Sequence, residues 1–194
     1  MSTTRVRVSF QGELGAFGEM AIVQHWRGGA DAVPTRTFAS VADLVRDAQV
    51  EYGVIPVWNS SIGDVLQGRE VVDSMDAGLE TDGEVAVPVH HCLLALPGST
   101  IESLRVVESH PAALAQCTRF VARHPWLTPR DAFDTAGAAK ELAGATQPAP
   151  DRAVLAPAGA AARYGLTILA ERIQDDAHNA TRFVVIRRRG EGAR

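Results

Sequence analysis

The stretch that decides the fold lies near the end of the chain and reads Asn179-Ala180-Thr181-Arg182-Phe183-Val184-Val185-Ile186. Residues 183–186 form a β-type apolar run, and an amide, a hydroxyl and a guanidinium stand directly before it. A strand that begins with such groups can hold a small anionic substrate and give a proton to a leaving oxygen. A capped loop that simply enters a strand explains the same pattern, so this stretch alone leaves both interpretations open.

Strand and helix patterns alternate along the rest of the chain. Residues 6–10 read as a strand, and Phe17 and Met20 then recur at helical spacing after a glycine-bearing turn. The longest β run, residues 83–96, is long enough at about 3.3 Å per residue to cross between two lobes. The segment of residues 168–186 is expected to cross back. The alternation predicts an α/β fold with mostly parallel sheets.

Composition and charge exclude several classes of function. A net charge of −4 over 194 residues gives no reason to expect a nucleic-acid partner. There is no apolar stretch of about 20 residues, so no membrane span is predicted, and the N-terminus shows no signal-peptide core. Cys92 and Cys117 lack ligand spacing and are predicted to be buried thiols in a reducing compartment, so we expect a cytoplasmic protein.

The histidines do not predict a metal site. His90 and His91 are adjacent and would point to opposite sides of a strand. His110 and His178 have no partners at the spacing of metal ligands. We therefore expect structural roles for His90, His91 and His178, and no metal.

Four predicted strands end in polar or glycine-rich turns that lead towards helices. In open α/β sheets, ligands bind beyond the carboxyl ends of the strands, and helix N-termini supply N–H groups and a partial positive charge. Several such ends around one cleft would bind a small carboxylate without any lysine. The four turns are Gln11-Gly12, Asn59-Ser60, Ser109-His110 and Asp134-Thr135.

Each of these polar residues also has a purely structural interpretation. Ser109 and Thr135 are suitable helix N-caps, Asn59 is a good turn former, and Gln116 could be a surface glutamine. Residues 40–43 resemble a capping box at the start of another helix. The coincidence of polar groups at the ends of successive strands is what favours a function.

Several stretches between about residue 5 and residue 188 are informative when they are taken in order. They are Gln11-Gly12-Glu13-Leu14-Gly15-Ala16-Phe17, Gly53-Val54-Ile55-Pro56-Val57-Trp58-Asn59-Ser60 with Gly63, Pro88-Val89-His90-His91-Cys92-Leu93-Leu94-Ala95-Leu96-Pro97-Gly98, Ser109-His110-Pro111 with Leu114-Ala115-Gln116-Cys117, Asp134-Thr135-Ala136-Gly137-Ala138-Ala139, Tyr164-Gly165-Leu166, and Asn179-Ala180-Thr181-Arg182-Phe183. Together they resemble the prephenate dehydratase family, including its plant arogenate dehydratase relatives. The final stretch is similar to the family's signature, and all of the stretches together are highly specific.

The resemblance implies a two-lobed fold of the periplasmic-binding-protein type (type II), with the active site in a central cleft. Lobe 1 would comprise about residues 4–84 and 171–190, and lobe 2 about residues 85–170. The resemblance further implies cofactor-free conversion of prephenate to phenylpyruvate in L-phenylalanine biosynthesis. Because family members are commonly dimers or tetramers, it also implies a homo-oligomer.

The resemblance also implies roles for individual residues. Thr181 would give a proton to the departing ring hydroxyl or position it, and the others would orient the carboxylates and the hydroxyl. The implied catalytic residues are Thr181, Asn59, Ser109 and Gln116. The implied substrate-binding residues are Ser60, Gln11, Gly12, Thr135, Asn179, Arg182 and Phe183.

The chain departs from the family pattern at two places. Where the family usually has a glutamate before the asparagine of its second motif, this chain has Trp58, which we expect to lie at least partly in the cleft. The family also commonly carries a C-terminal ACT domain that binds phenylalanine. The sequence ends at Arg194, so we expect no such domain and no feedback inhibition by that route.

Other functions are compatible with the same residues. The chain could act on arogenate, or it could decarboxylate prephenate and retain the hydroxyl, although Thr181 argues against the decarboxylase. A non-catalytic module that binds small carboxylates is an alternative of a different class. The product formed from prephenate distinguishes these alternatives.

Overall fold

The computed structural model describes residues 5–146 and 149–190. The helices are α1 (Phe17–His25), α2 (Phe38–Arg46), α3 (Leu66–Asp73), α4 (Pro111–Ala115), α5 (Thr118–Ala122), α6 (Thr135–Ala143) and α7 (Ala158–Tyr164), with a 3-10 turn at Ile101–Ser103. The strands are β1 (Val6–Gln11), β2 (Ala30–Thr35), β3 (Tyr52–Asn59), β4 (Gly63–Asp64), β5 (Leu79–Pro88), β6 (Cys92–Ala95), β7 (Val106–Ser109), β8 (Thr128–Asp131), β9 (Arg152–Ala156), β10 (Thr167–Ala170) and β11 (Ala180–Arg188).

The chain divides into two compact units, and each has its own sheet. Of the described residues, 5–12, 17–88 and 180–190 belong to the first unit, and 13–16, 89–146 and 149–179 to the second. The predicted changes of lobe at about residues 85 and 171 lie instead after Pro88 and Asn179. Residue 4, where predicted lobe 1 begins, lies outside the described residues. The two units confirm the predicted α/β fold with two lobes.

Both sheets are mixed, which corrects the prediction of mostly parallel sheets. The first has the order β2-β1-β3-β11-β5, with β4 beside β3, and the second has the order β10-β6-β9-β7-β8. Strand β1 is parallel to β2 and β3, but β11 is antiparallel to β3 and β5. The chain leaves the first unit at the end of β5 and returns at the start of β11, so Ala180 lies opposite Pro88. A strand out and a strand back necessarily run in opposite directions.

The predicted long β run of residues 83–96 is two strands. Strand β5 ends at Pro88 and β6 begins at Cys92, so the run divides where the chain passes into the second unit. Proline cannot donate a backbone hydrogen bond and favours the end of a sheet ladder. Residues 89–91, including both adjacent histidines, therefore lie in an irregular segment.

The helix predicted to begin at Ser109-His110-Pro111 is also divided, into α4 and α5. Asp175 causes the break, because its carboxylate accepts hydrogen bonds from the backbone N–H groups of Thr118 (3.0 Å) and Arg119 (2.9 Å). Although partial burial raises the pKa of Asp175, the hydrogen bonds from Thr118 and Arg119 hold it below its ordinary value. A carboxylate at this position satisfies N–H groups that begin a new helix.

Each unit has its own cluster of buried apolar side chains against its sheet. In the first unit, Val41 of helix α2 packs with Ile55 of β3 and Ile186 of β11, and α3 packs against the same cluster. In the second, Leu93, Leu155 and their neighbours form an apolar cluster. Helix α2 begins earlier than predicted, because Thr37 rather than residues 40–43 caps it and accepts a hydrogen bond from the Ser40 N–H at 3.1 Å.

Candidate active site

The predicted proton donor Thr181 meets Asn59 across a pair of strands in the first unit. Strand β11 is antiparallel to β3, in a register that places Thr181 opposite Asn59. Asn59 Nδ2 donates a hydrogen bond to Thr181 Oγ1 at 2.9 Å. Asn59 is buried and Thr181 is half-buried, so the pair is partly removed from water.

Two backbone groups fix the orientation of the Asn59 amide. The N–H groups of Ser61 and Ile62 donate to Asn59 Oδ1, at 2.9 and 3.2 Å. A backbone N–H can only donate, so this end of the amide is the oxygen and the end facing Thr181 is the NH₂ group. The Thr181 oxygen therefore accepts, and its own proton is left to be donated to another oxygen. A donor that is already bonded to this oxygen also stabilises negative charge on it.

Ser60 extends the ladder between β3 and β11 and holds the residue before Thr181. Ser60 N donates to the Ala180 carbonyl, and Ala180 N donates to Ser60 Oγ, each at 2.9 Å. The predicted substrate-binding hydroxyl is thus engaged with the backbone in this structure. Its direct role in substrate binding stays a prediction.

Arg182 and Trp58 form the neighbouring cross-strand pair. The guanidinium carbon lies 5.7 Å from the centroid of the Trp58 ring, and Arg182 Nε lies 3.7 Å from Glu84 Oε2. Consecutive strand residues point to opposite faces, so this pair lies on the sheet face opposite to Thr181. Trp58 is 38% exposed and is not a core residue.

Phe183, which was also predicted to bind substrate, is buried in the first unit. It packs with Ala21, Val85 and Val87. The register shifts between Arg182 and Phe183, and such a bulge redirects the side chains that follow it. The contacts give Phe183 a packing role, and contact with substrate stays a prediction.

Gln116 and Asn179 meet in the second unit. Asn179 Nδ2 donates to Gln116 Oε1 at 2.5 Å, and His91 Nε2 lies 3.4 Å from the same oxygen. Both contacts fall on the oxygen of the Gln116 amide, so the Nε2 end is the one suited to donate to a ligand. The backbone carbonyl of Gln116 accepts from Asp175 N at 2.7 Å. Gln116 is thus held through its main chain by Asp175 and through its side chain by Asn179 and His91.

His91 has a neutral ring at neutral pH. Burial lowers its pKa to about 4, and the hydrogen bond with Gln116 offsets only part of this shift. A neutral imidazole can donate from one nitrogen only. The contact with Gln116 Oε1 favours the tautomer in which that nitrogen is Nε2.

Ser109 and Thr135 do not cap helices, so the structural interpretation offered for them is wrong, and their catalytic and substrate-binding roles stay predictions. Ser109 is buried at the end of β7, and its hydroxyl donates to the Leu155 carbonyl at 2.6 Å. The cap of α4 is His110, whose Nδ1 accepts from Ala112 N. The cap of α6 is Asp134, so Thr135 is the first residue of that helix. Proline is favoured in the first turn of a helix, which explains why α4 begins at Pro111 and is capped by His110. Carboxylates are favoured at helix N-termini, which explains why Asp134 caps α6.

Gln11 and Gly12 lie where the chain leaves β1. Gln11 is the last residue of that strand, and Gly12 N donates to the Thr35 carbonyl at 2.9 Å. Gly12 has a φ of 112°, a conformation that favours glycine. The backbone thus requires Gly12, whereas substrate contacts by either residue stay a prediction.

Among residues 5–146 and 149–190, no group of three or more His, Cys, Asp or Glu side chains is placed to hold a metal ion. Within the same residues, every helix is too short or too polar to cross a membrane.

Comparison with known proteins identifies the relatives of this chain. Residues 8–191 match the family model described as prephenate dehydratase. Arogenate dehydratase 1 of Petunia hybrida is 41% identical over 97% of this chain and 43% of its own length. Arogenate dehydratase/prephenate dehydratase 2, a chloroplastic protein of Arabidopsis thaliana, is 40% identical over 95% of this chain and 47% of its own length. This chain therefore spans about half the length of these relatives.

A solved structure shows the same fold. It is the prephenate dehydratase of Arthrobacter aurescens in complex with L-Phe, which superposes with a TM-score of 0.86 at 28% identity. The match covers 97% of this chain and 62% of that protein.

Proposed function

The chain belongs to the prephenate dehydratase family, and on this premise we propose that it converts prephenate to phenylpyruvate in L-phenylalanine biosynthesis. The ring carboxylate leaves as carbon dioxide, and its electron pair moves through the ring diene. The ring carbon opposite then loses its hydroxyl, which takes up one proton and departs as water. The ring becomes aromatic, which supplies much of the driving force.

The hydrogen bond from Asn59 to Thr181 carries this proposal. The protein must stabilise a hydroxyl that leaves as water, and this needs a proton donor at the leaving oxygen. A threonine hydroxyl is a weak acid, so it acts only if the charge that develops on its oxygen is stabilised. Asn59 Nδ2 donates to that oxygen at 2.9 Å and is held in this orientation by two backbone N–H groups. The arrangement is preorganised for the transition state.

The polar group of the second unit supports the binding part of the proposal. The Nε2 end of Gln116 is a donor, and the carboxylates of prephenate are acceptors. Asn179 and His91 fix the other end of this amide. We assign to Gln116 and Asn179 the binding of a substrate carboxylate, a role in which geometry matters more than acidity.

Arogenate is the second candidate substrate, because the curated relatives named above include arogenate dehydratases. It would undergo the same elimination and yield phenylalanine. The chemistry of Thr181 and Asn59 is identical for both substrates. The difference lies in the side chain of the substrate, which is a keto acid in prephenate and an amino acid in arogenate.

The proposal includes a cofactor-free reaction in the cytoplasm by a homo-oligomer. The elimination exchanges no electrons with an outside acceptor, so acid catalysis and charge stabilisation can account for it. Both cysteines are buried free thiols, which suits a reducing compartment. Oligomer formation is carried over from the family resemblance and can be measured by light scattering.

A product assay tests the proposed function. The purified chain is incubated at neutral pH with prephenate or with arogenate, and an enzyme-free blank corrects for spontaneous aromatisation. We expect phenylpyruvate from prephenate, at a rate that a chelator does not change. A non-aromatic decarboxylated acid would identify a decarboxylase, and binding without turnover would identify a binding module. Phenylalanine from arogenate, with no product from prephenate, would assign the second candidate.

A further inference from the structure

Gln174 has a fixed amide orientation in the second unit. The backbone N–H of His91 donates to Gln174 Oε1 at 3.1 Å, and Gln174 is 9% exposed. Because a backbone N–H can only donate, Oε1 is the acceptor end and Nε2 is the donor end of this amide. The adjacent backbone is held as well, since Ile173 N donates to the His91 carbonyl at 3.0 Å and Asp175 N donates to the Gln116 carbonyl.

This orientation selects the tautomer of His90. Gln174 Nε2 lies 3.0 Å from His90 Nδ1. An NH₂ group donates, so His90 Nδ1 must accept and cannot carry a proton. The neutral ring then carries its proton on Nε2. His90 is only half-buried, so part of this residue is accessible to a ligand.

The position of His90 links it to the residues already assigned to substrate binding. The preceding residue, Val89, donates its N–H to the Asn179 carbonyl at 2.8 Å. The following residue, His91, contacts Gln116 Oε1 through its ring. His90 therefore lies between two residues that anchor Asn179 and Gln116. The segment of residues 89–91 thus ties the backbone on either side of His90 to both of these residues.

We propose that His90 Nε2–H donates a hydrogen bond to a carboxylate or keto oxygen of the substrate, and that Gln174 positions it by fixing its tautomer. This inference rests on the proposed function, because that function supplies an oxygen-rich dianion as the ligand. A fixed N–H donor suits such an oxygen and cannot accept a hydrogen bond from an ammonium group. The sequence predicted only a structural role for His90.

Two substitutions at His90 separate substrate binding from a structural role. In His90→Asn the short amide reaches the position of Nδ1, so it retains a partner for Gln174 but lacks a donor at the position of Nε2. In His90→Gln the longer amide places a donor at the position of Nε2 and abandons the contact with Gln174. Prephenate binding is measured by calorimetry in a Thr181→Ala background, in which the substrate survives, and KM is measured in the otherwise unchanged chain.

We expect His90→Asn to weaken prephenate binding about tenfold to a hundredfold, the size of one lost hydrogen bond to a charged group. We expect His90→Gln to recover most of this affinity, and kcat to change little in either variant. The opposite order, with His90→Asn normal and His90→Gln impaired, would show that His90 only holds Gln174 and would overturn the proposal. Unchanged affinity in both variants would overturn it as well.

A measurement without substitution at His90 guards against variants that fail to fold. In protein labelled with ¹⁵N-histidine, His90 should show an unprotonated Nδ1 and a protonated Nε2, and prephenate should shift the Nε2–H resonance in the Thr181→Ala protein. A protonated Nδ1, or an Nε2–H resonance that saturating prephenate leaves unmoved, contradicts the proposal.

The same experiments distinguish this inference from the proposed function. If the chain binds prephenate with the expected loss in His90→Asn but forms no phenylpyruvate, the proposed activity fails and the inference stands. Normal turnover with an unchanged KM in His90→Asn rejects the inference alone. A parallel series with arogenate identifies the acceptor, since an equal loss indicates a carboxylate and a loss confined to prephenate indicates the keto group.

Discussion

The two units organise their polar residues differently. In the first, a single strand pair brings Asn59 to Thr181, and the turn after β3 orients the amide through backbone N–H groups. In the second, side chains from separate segments orient one another, as Asn179 and His91 do with Gln116. The first arrangement leaves a hydroxyl proton available for donation. The second fixes several donors in space, which suits binding.

This comparison predicts that substitutions in the two units affect different kinetic constants. An interaction made only in the transition state lowers kcat, whereas one made equally in the ground state raises KM. The first unit should therefore control mainly kcat, and the second mainly KM.

The largest effect is expected for Thr181→Ala. Loss of the proposed proton donor should lower kcat by about 10² to 10⁴, the range typical of general acid catalysis, and leave KM within a few-fold. Thr181→Ser keeps the hydroxyl and should retain part of the activity. Thr167→Ala, at an exposed threonine that begins β10, is the matched control. A kcat equal to that of the unchanged chain would remove Thr181 from the mechanism.

Asn59→Asp tests the orientation of the amide that supports Thr181. The carboxylate still accepts from the Ser61 and Ile62 N–H groups, so the turn should persist. It cannot donate to Thr181 Oγ1 and instead accepts the threonine proton, which makes the hydroxyl a poorer donor. We expect kcat to fall by about a hundredfold, comparable with the loss of one donor that stabilises a developing charge. Steady-state kinetics with a thermal melt check this, and a raised KM at normal kcat would assign Asn59 to binding instead.

The pH dependence of stability tests the polar group of the second unit. His91 has a folded-state pKa lowered from 6.5 to about 4. A group with a depressed folded pKa contributes stability above its unfolded pKa and loses it as pH falls through the folded value. We expect the contribution of His91 to lower the free energy of unfolding by on the order of 3 kcal/mol between pH 6.5 and pH 4. Urea titrations at several pH values across this range should give a free energy of unfolding that depends less steeply on pH in His91→Gln than in the unchanged chain. An equal pH dependence in the two proteins would contradict the buried neutral ring.

A smaller effect is expected for Gln116→Met, which removes the proposed donor at similar volume. The loss of one hydrogen bond to a substrate carboxylate should raise KM about tenfold and change kcat little. Gln49→Met, at an exposed glutamine of the first unit, serves as the control. If Gln116→Met lowers kcat as strongly as Asn59→Asp does, the division of roles between the units is wrong.

Sequence patterns identified the fold class but not the edges of its sheets. The strand β2 has little alternation and contains Pro34, and every residue of β8 is exposed and one is Pro129. Both are edge strands, where proline is tolerated because one side of the strand needs no hydrogen-bond partner. Edge strands therefore carry a weak pattern, and both were missed. Helix α3 was also missed; it has no side-chain N-cap hydrogen bond.

Sequence reasoning identified Thr181 and Asn59 separately, but their contact depends on the register of β11 against β3. The helix break at Gln116 depends on Asp175, which is 57 residues from Thr118 along the chain. Likewise, the role proposed for His90 depends on Gln174, which no local pattern connects to it. Local periodicity predicts elements, whereas side-chain orientation is decided by partners that are distant in sequence.

The smallest effect is expected for Trp58→Glu, which restores the residue usual in the family. Trp58 lies beside Arg182, on the face opposite to Thr181, and is 38% exposed. Loss of the cation–π contact costs about 0.5–1 kcal/mol, and a new exposed ion pair with Arg182 returns about as much. The free energy of unfolding should thus change by less than about 1 kcal/mol. This is smaller than the cost of burying an unpaired charge.

Activity should also change little in Trp58→Glu, because the new carboxylate would point away from Thr181. Trp126→Glu, at a tryptophan of the second unit that is 41% exposed, controls for the general cost of replacing a surface tryptophan. A severalfold rise in kcat/KM on prephenate would show that a carboxylate at position 58 reaches the substrate. The first unit would then contribute to catalysis from both faces of β3. Its role would include an acidic group at position 58 as well as the proton donor proposed at Thr181.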